Sequence, residues 1–427
     1  VADLGVLPLH LAPCTSRVDP AGELIIGGVK ISELVERFGS PVFVYDEVHL
    51  RARMQEAVQG FGRGQVIYAS KAFPAVAMAR LVAEEGLLWD AASLGELQAG
   101  LRGGVTPAKI VLHGNNKSIE ELRVALEVRV GRIVVDSFDE IDRLDRLGGG
   151  EDTRIWLRVT PGVEAHTHAY VRTGQQDSKF GFNLANGDAN RAIARIAASS
   201  RLSLVGLHCH IGSQVFALES FREAVAIMAK LTREAGLDEL CVGGGFGVGY
   251  LRDEHVPSIG TWTAWLREAL SAHGMREDHI FVEPGRAIVA TGAVTVYTVG
   301  VIKEIPGVRT YVAVDGGMSD NPRPVLYGSG YEAFAPTRLF APHATTVALV
   351  GKHCESGDVL VRETRLPADL QVGELVMTPV TGAYGYAMGS NYNRLLRPAV
   401  VLVRDGNARV IVRRETLDDL FRLEEDA

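Results

Sequence analysis

Eight short apolar runs rich in β-branched residues, at 66–70, 87–91, 110–113, 133–136, 155–159, 205–208, 240–242 and 280–282, recur through the first two thirds of the chain. Most are separated by stretches with helical spacing, such as 75–85, 94–101, 119–126, 140–147 and 221–235. Strands that alternate with helices must run parallel, because each helix carries the chain back to the same edge. Eight such units predict a closed, TIM-like (β/α)8 barrel over 41–287, with its active site at the C-terminal ends of the strands. After about residue 288 the pattern changes. Runs at 294–301, 310–314, 346–349, 375–379 and 400–403 are separated by Gly, Pro and Asp turns, which predicts a C-terminal antiparallel β domain over 288–427. The N-terminal segment 1–40, with candidate strands at 23–26 and 29–31, is expected to pair with it. The connection from Thr160 to about Asp188 is too long for an ordinary barrel loop and reads as functional.

The chain has 427 residues, 47% of them hydrophobic, enough for a sizeable core. A net charge of −8 argues against a nucleic-acid or anionic-membrane partner, though not against local cationic pockets. Cysteines at 14, 209, 241 and 354 form no C-x-x-C pair, so neither a zinc ribbon nor a redox motif is suggested; so few in a long chain fit a reducing cytoplasm. The first residues contain an early acid and no basic run, unlike a signal peptide. The longest uncharged stretch, 287–302, contains Gly292 and Gly300 and many β-branched residues, and reads as buried strand rather than membrane span.

Polar residues with chemical potential cluster at the strand ends: Lys71, Asp90, His113, His210, the glycines at 243–245 and Glu283. A lysine just past a buried strand is expected to face a cavity, where desolvation lowers its pKa and frees a nucleophilic amine able to form a Schiff base with an aldehyde. In His208-Cys209-His210 the two imidazoles share one face of a strand. Such a pair can bind a metal or lie flat on a cofactor ring. No further set of His and Asp ligands follows in the sequence, and Lys71 favours the flat stack, with His208 also readable as a core residue. Gly243-Gly244-Gly245-Phe246-Gly247 lacks the spacing of a dinucleotide-binding turn, yet follows the seventh strand, where such barrels bind phosphate. Glu283-Pro284-Gly285-Arg286 ends the eighth strand; a carboxylate there could keep a pyridine nitrogen protonated. Cys354 stands among Lys352, His353, Glu355 and Asp358, which suggests a functional thiol.

Together the segments YASKAF, HTHAYVRTGQQDSKFGF, GLHCHIGSQ, VGGGFG, EPGR, NPRPVLYG, GKHCESGD and GAYG resemble the fold-type III pyridoxal-phosphate decarboxylases over nearly the whole chain, the diaminopimelate-cleaving branch most closely and the ornithine and arginine branches less so. The resemblance implies an alanine-racemase-like barrel and a pyridoxal 5'-phosphate cofactor held by Lys71. It implies that His210 stacks on the ring and Glu283 pairs with its nitrogen. Asp90, Ser213, Gly244, Gly245, Gly285, Arg286 and Tyr384 would complete the cofactor site. Arg286, Arg323, Tyr327, Glu355 and Tyr384 would contact substrate. Cys354 and Glu355 would enter the partner's site in a homodimer, and 166–179 would form a mobile active-site loop. Racemases on this barrel place an arginine where Glu283 stands, so Glu283 points to decarboxylation.

Substrate choice follows from charge. Diaminopimelate has a second amino-acid end, with one ammonium and one carboxylate. Arg323 could take the carboxylate by a bidentate bond and Glu355 the ammonium. Ornithine and lysine decarboxylases meet a distal amine alone and need no arginine there.

Overall fold

The computed structural model describes residues 3–148, 153–163, 178–210 and 212–425. The chain forms two compact units. One consists of Val1–Ala52, Val248–His255 and Ile288–Ala427, and the other of Arg53–Gly247 and Val256–Ala287.

The second unit is the expected barrel. Its parallel strands follow in order: Ile67–Ala69, Leu88–Ala91, Ile110–Leu112, Arg132–Val135, Arg154–Thr160, Ser203–His208, Glu239–Cys241 and Ile280–Phe281. A parallel bridge between Val66 and Val282 joins first to last, with Ile67 N donating to Val282 O at 2.8 Å. Each strand adds one side chain to a continuous interior: Ile67, Leu88, Val111, Val134, Trp156, Val205, Cys241 and Phe281. The barrel is therefore a packed core and not a pore. Three consecutive helices begin at a serine cap three residues before a glutamate: Ser93 with Glu96, Ser118 with Glu121 and Ser137 with Glu140. Each serine oxygen accepts the glutamate's backbone N–H, so each helix starts at a fixed distance from its strand.

At the N-terminal end of the barrel a buried charge network closes the floor. Glu239 Oε2 accepts from Arg132 Nε at 2.8 Å and Trp156 Nε1 at 2.7 Å, while Oε1 accepts from Arg132 Nη2 at 2.7 Å. The Arg132 guanidinium also lies 4.7 Å from the Phe281 ring centre. Charges at this face bear on stability, since chemistry in such barrels is at the other end.

The first unit is a mostly antiparallel β-structure. Ala293–Ile305 is its central strand, buried over its first half; it takes up most of the uncharged stretch, whose first residues lie instead in the helix Arg286–Val289 and the turn after it. No described helix is long and apolar enough to cross a membrane. Two pairings are parallel: residues 311–313 with 348–350, and 42–46 with 399–403. The N-terminal segment falls in this unit, but its early strands stay outside the large sheet. Strands Arg17–Val18, Leu24–Ile26 and Val29–Lys30 form their own three-stranded sheet. The strand that enters the large sheet is Val42–Asp46, between Ala293–Ile305 and Ala399–Arg404. All five of its residues are buried, so it fits an interior strand better than the short, partly exposed runs before it.

Asp320 of this unit is 4% exposed and accepts one backbone N–H, from Gly317 at 3.0 Å. Burial, with Asp315 and Asp358 adding to it, pushes its carboxyl up to about 7. The native state thus holds this proton more tightly than the unfolded chain. The stabilisation is fully present below about pH 4 and is lost as pH rises towards 7, at about 1.4 kcal/mol per unit. Asp320→Asn keeps the acceptor and removes the titration. Its melting temperature relative to wild type should rise between pH 4 and pH 8, with the gain greatest above pH 7; a difference independent of pH would refute the assignment.

Candidate active site

The C-terminal ends of the barrel strands bring together Asp90, His113, His208 and Glu283, all less than 9% exposed. Glu283 is the hub. Its Oε2 lies 3.0 Å from His208 Nε2 and its Oε1 lies 2.9 Å from His113 Nε2. His113 Nε2 is also 3.9 Å from Asp90 Oδ1, and the two imidazoles meet edge to face at 4.9 Å. Burial opposes ionisation of Glu283, but the His208 and His113 imidazoles outweigh it and keep the carboxylate ionised. Burial would also make His113 less basic, but the Asp90 and Glu283 carboxylates prevail and raise its pKa. His208 goes the other way: burial lowers it to about 4, so it is neutral and donates Nε2–H to Glu283. Of the two imidazoles beside Glu283, His113 is therefore the more basic. Burial raises Asp90 to about 6, against the pull of His113.

His208 is thus a partner of Glu283 rather than an inert core residue. The sequence reading found no set of metal-ligand residues beyond the His-Cys-His pair. The fold supplies one, since ligand atoms of His113, His208 and Glu283 lie within 4.8 Å of one another. His210 is not in this set. Its Nδ1 accepts the Gly244 N–H at 3.2 Å, which leaves the ring hydrogen on Nε2. Burial and the Lys71 charge lower its pKa well below the usual range, so it presents a neutral, flat imidazole.

The glycine turn is shaped by bare backbone. Gly243 and Gly245 have φ of +74° and +98°. A methyl group on Gly245 would lie 2.3 Å from Gly212 O, and one on Gly244 2.2 Å from Glu283 O. Beside this turn Arg286, 8% exposed, donates from Nη2 to Ser213 Oγ at 3.0 Å. Gly285 packs against the first strand, where a methyl group would come 2.9 Å from Ala69 O.

Lys71 lies in the 3-10 turn Ser70–Ala72. Lys71 itself is exposed, while its neighbours Ser70 and Ala72 are fully buried. Its charge still acts on Asp90 and His210. Two groups escaped the sequence reading. Arg158, on the fifth strand, lies 3.7 Å from Asp136 Oδ2 and lowers the basicity of His113, His208 and His210. Asp136 also accepts the N–H of Gly181. Their signal was faint: an arginine within an apolar strand and an acid at the preceding strand's end. Most of the expected mobile loop, 164–177, lies outside the described residues.

The remaining candidates belong to the β unit. Arg323 opens the helix Arg323–Tyr327 and is 5% exposed. Tyr327 is 38% exposed, and Tyr384 is half-buried with φ of +59°. Cys354 and Glu355 are exposed on a tight loop. Asp358 braces it from beneath, accepting Met318 N–H at 2.7 Å and His353 N–H at 2.9 Å. Asn393 Oδ1 accepts the Cys354 N–H at 2.9 Å, and Tyr392 donates its hydroxyl to Glu355 Oε2 at 3.3 Å.

The barrel site suits a flat, phosphorylated aromatic cofactor. Asp90 Oδ1 and Glu283 Oε1 are buried acceptors without an aligned hydrogen-bond donor among the described residues. A neutral imidazole, a turn of bare backbone and a buried arginine stand around them. Residues 47–290 match the family model described as the pyridoxal-binding domain of the pyridoxal-dependent decarboxylases. The chain belongs to this family. Among related decarboxylases, the diaminopimelate decarboxylase of Bacillus subtilis is 45% identical, over 96% of this chain and 97% of its own. That of Actinosynnema pretiosum is 46% identical over 98% and 96%. The crystal structure of diaminopimelate decarboxylase from M. jannaschii superposes with a TM-score of 0.89 at 30% identity, covering 96% and 98%. The lysine/ornithine decarboxylase of Vibrio vulnificus shares the decarboxylase fold at a TM-score of 0.75 and 25% identity, over 88% of this chain and 97% of its own.

Proposed function

We propose that this decarboxylase removes one carboxylate of meso-diaminopimelate to give L-lysine and carbon dioxide, with pyridoxal 5'-phosphate as cofactor. The relatives above carry that name over nearly their whole length. The single observation that carries the substrate assignment is Arg323. The residue is 5% exposed, and no carboxylate lies within ion-pair distance of it among the described residues. A buried cation without a counter-ion is costly. A ligand carboxylate relieves that cost, and the distal end of diaminopimelate carries one. A diamine precursor such as ornithine does not.

When bound, pyridoxal phosphate supplies the electron sink that accepts the bonding pair left as carbon dioxide departs. The residues prepare that step. Lys71 would hold the cofactor covalently through its amine. Glu283, kept ionised beside His113, would hold a proton on the ring nitrogen, and Asp90 would lie next to it. Neutral His210 would lie flat on the ring. Ser213, Gly244, Gly245, Gly285, Arg286 and Tyr384 would hold the phosphate or its approach. Tyr327, Tyr384 and Arg286 would contact substrate beside Arg323, with Glu355 on the distal ammonium.

Lys71→Ala should abolish covalent retention and lower turnover by about 10³-fold or more. Borohydride reduction followed by peptide mapping checks this, and label on a different lysine would contradict it.

We further propose a homodimer with shared sites, in which Cys354 and Glu355 serve the partner's barrel. Their exposure on a loop held from beneath by Asp358 and from outside by Asn393 and Tyr392 supports this reading. Mixing inactive Lys71→Ala and Cys354→Ala proteins should restore part of the activity, because some heterodimers contain one intact site. No recovery under conditions where subunits demonstrably exchange would count against sharing. We place the enzyme in the cytoplasm; no disulfide links its four cysteines, which supports a reducing compartment.

A further inference from the structure

Arg323 is held by aromatic side chains that no motif in the sequence announces. Its Nη1 donates to the Tyr331 hydroxyl oxygen at 2.6 Å. Its guanidinium carbon lies 4.4 Å from the centre of the Tyr250 ring and 5.6 Å from that of Tyr331. The two rings meet each other at 5.2 Å and 73°, and they are 4% and 3% exposed. Tyr331 follows the Arg323–Tyr327 helix, whereas Tyr250 comes from Val248–His255, a stretch of the same β unit that the chain inserts between barrel segments.

An arginine side chain has several rotatable bonds, and its planar head can present any of five N–H donors. A carboxylate reads only the correct edge of that plane. The Tyr250 face fixes the tilt of the plane, because a guanidinium lies favourably over an aromatic ring. The Tyr331 hydroxyl occupies one N–H and so fixes rotation within the plane. The T-shaped contact locks the two tyrosines to each other. The head is thus oriented before any ligand arrives, and a preorganised receptor loses less entropy on binding.

We propose that Tyr331 and Tyr250 are positioning residues for specificity: they hold the Arg323 guanidinium in the orientation that receives a substrate carboxylate. This rests on the reading of Arg323 as the carboxylate receptor. It follows that damage to the brace weakens only those ligands that carry a carboxylate.

The test uses the holoenzyme and two ligands that differ in that group alone, L-lysine and cadaverine. Dissociation constants are measured by calorimetry, with cofactor absorption and melting temperature recorded for every variant. Tyr331→Phe keeps the ring and loses the hydroxyl; L-lysine should bind about tenfold more weakly, the loss of one charge-assisted hydrogen bond, while cadaverine stays within about twofold. Tyr250→Leu should do the same through loss of the face, and Tyr250→Phe, which keeps the face, should weaken L-lysine less than Tyr250→Leu does. Equal weakening of both ligands by Tyr331→Phe and Tyr250→Leu would mark a merely structural role and overturn the proposal. So would no weakening of L-lysine. Should Tyr331→Phe fail to fold, the two Tyr250 variants decide alone. Arg323→Leu separates the two levels. If it erases the preference for L-lysine while the tyrosine variants keep it, the brace is wrong and the receptor stands. If Arg323→Leu keeps the preference, the receptor reading falls and the brace falls with it.

Discussion

Glu283 places a buried carboxylate between two imidazoles, and most of the barrel mouth is arranged around that placement. His208 comes from the sixth strand, His113 from just past the third, and Glu283 from just past the eighth. The triad therefore ties together points around the ring of strands. It also separates the basicities of its members: a neutral His208 gives a hydrogen bond, the neighbouring carboxylates make His113 more basic, and Glu283 stays ionised. A carboxylate taken from water survives only with such partners. Among the described residues one oxygen, Oε1, still lacks an aligned donor, so the cluster keeps an acceptor to offer.

The same residue type plays a different part at the other end of the barrel. Glu239 is satisfied by Arg132, Arg154 and Trp156 through four hydrogen bonds of 2.5 to 2.8 Å, so its charge is matched and its lone pairs are occupied. The contrast separates stability from function by satisfaction rather than by burial, since both glutamates are less than 9% exposed. The arginines divide in the same way. Arg132 has its glutamate, whereas Arg323 has aromatic faces and one phenol.

The barrel was legible in the sequence because each of its strands is a short β-branched run with a helical stretch behind it, and all eight expected strands are present. Asp90, His113 and Glu283 could be placed because strand ends in this architecture share one mouth. Three things were not legible. The exposure of Lys71 depends on a 3-10 turn that a strand pattern does not encode. The Val42–Asp46 strand reads like many apolar pentads, and only its distant partners show where it pairs. Tyr250, Tyr331 and Arg323 meet through the fold, so no local spacing signals the cage. Local patterns report what neighbours in sequence do, and these features are made by residues far apart.

The position of Val42–Asp46 has a consequence for biosynthesis. This strand leaves the ribosome before any of the barrel, yet one of its neighbours is Ala293–Ile305 and the other is Ala399–Arg404, close to the end of the chain. The barrel segments can collapse on contacts made within 53–287 while the β unit still waits for its last strands. During that interval a fully buried, largely apolar strand has no permanent partner on either edge. Pairings of such long sequence separation are slow to form, and an unpaired apolar edge invites association with other nascent chains. Translation speed and chaperone occupancy across residues 288 to 404 should therefore govern the yield of folded protein more strongly than events during synthesis of the barrel itself.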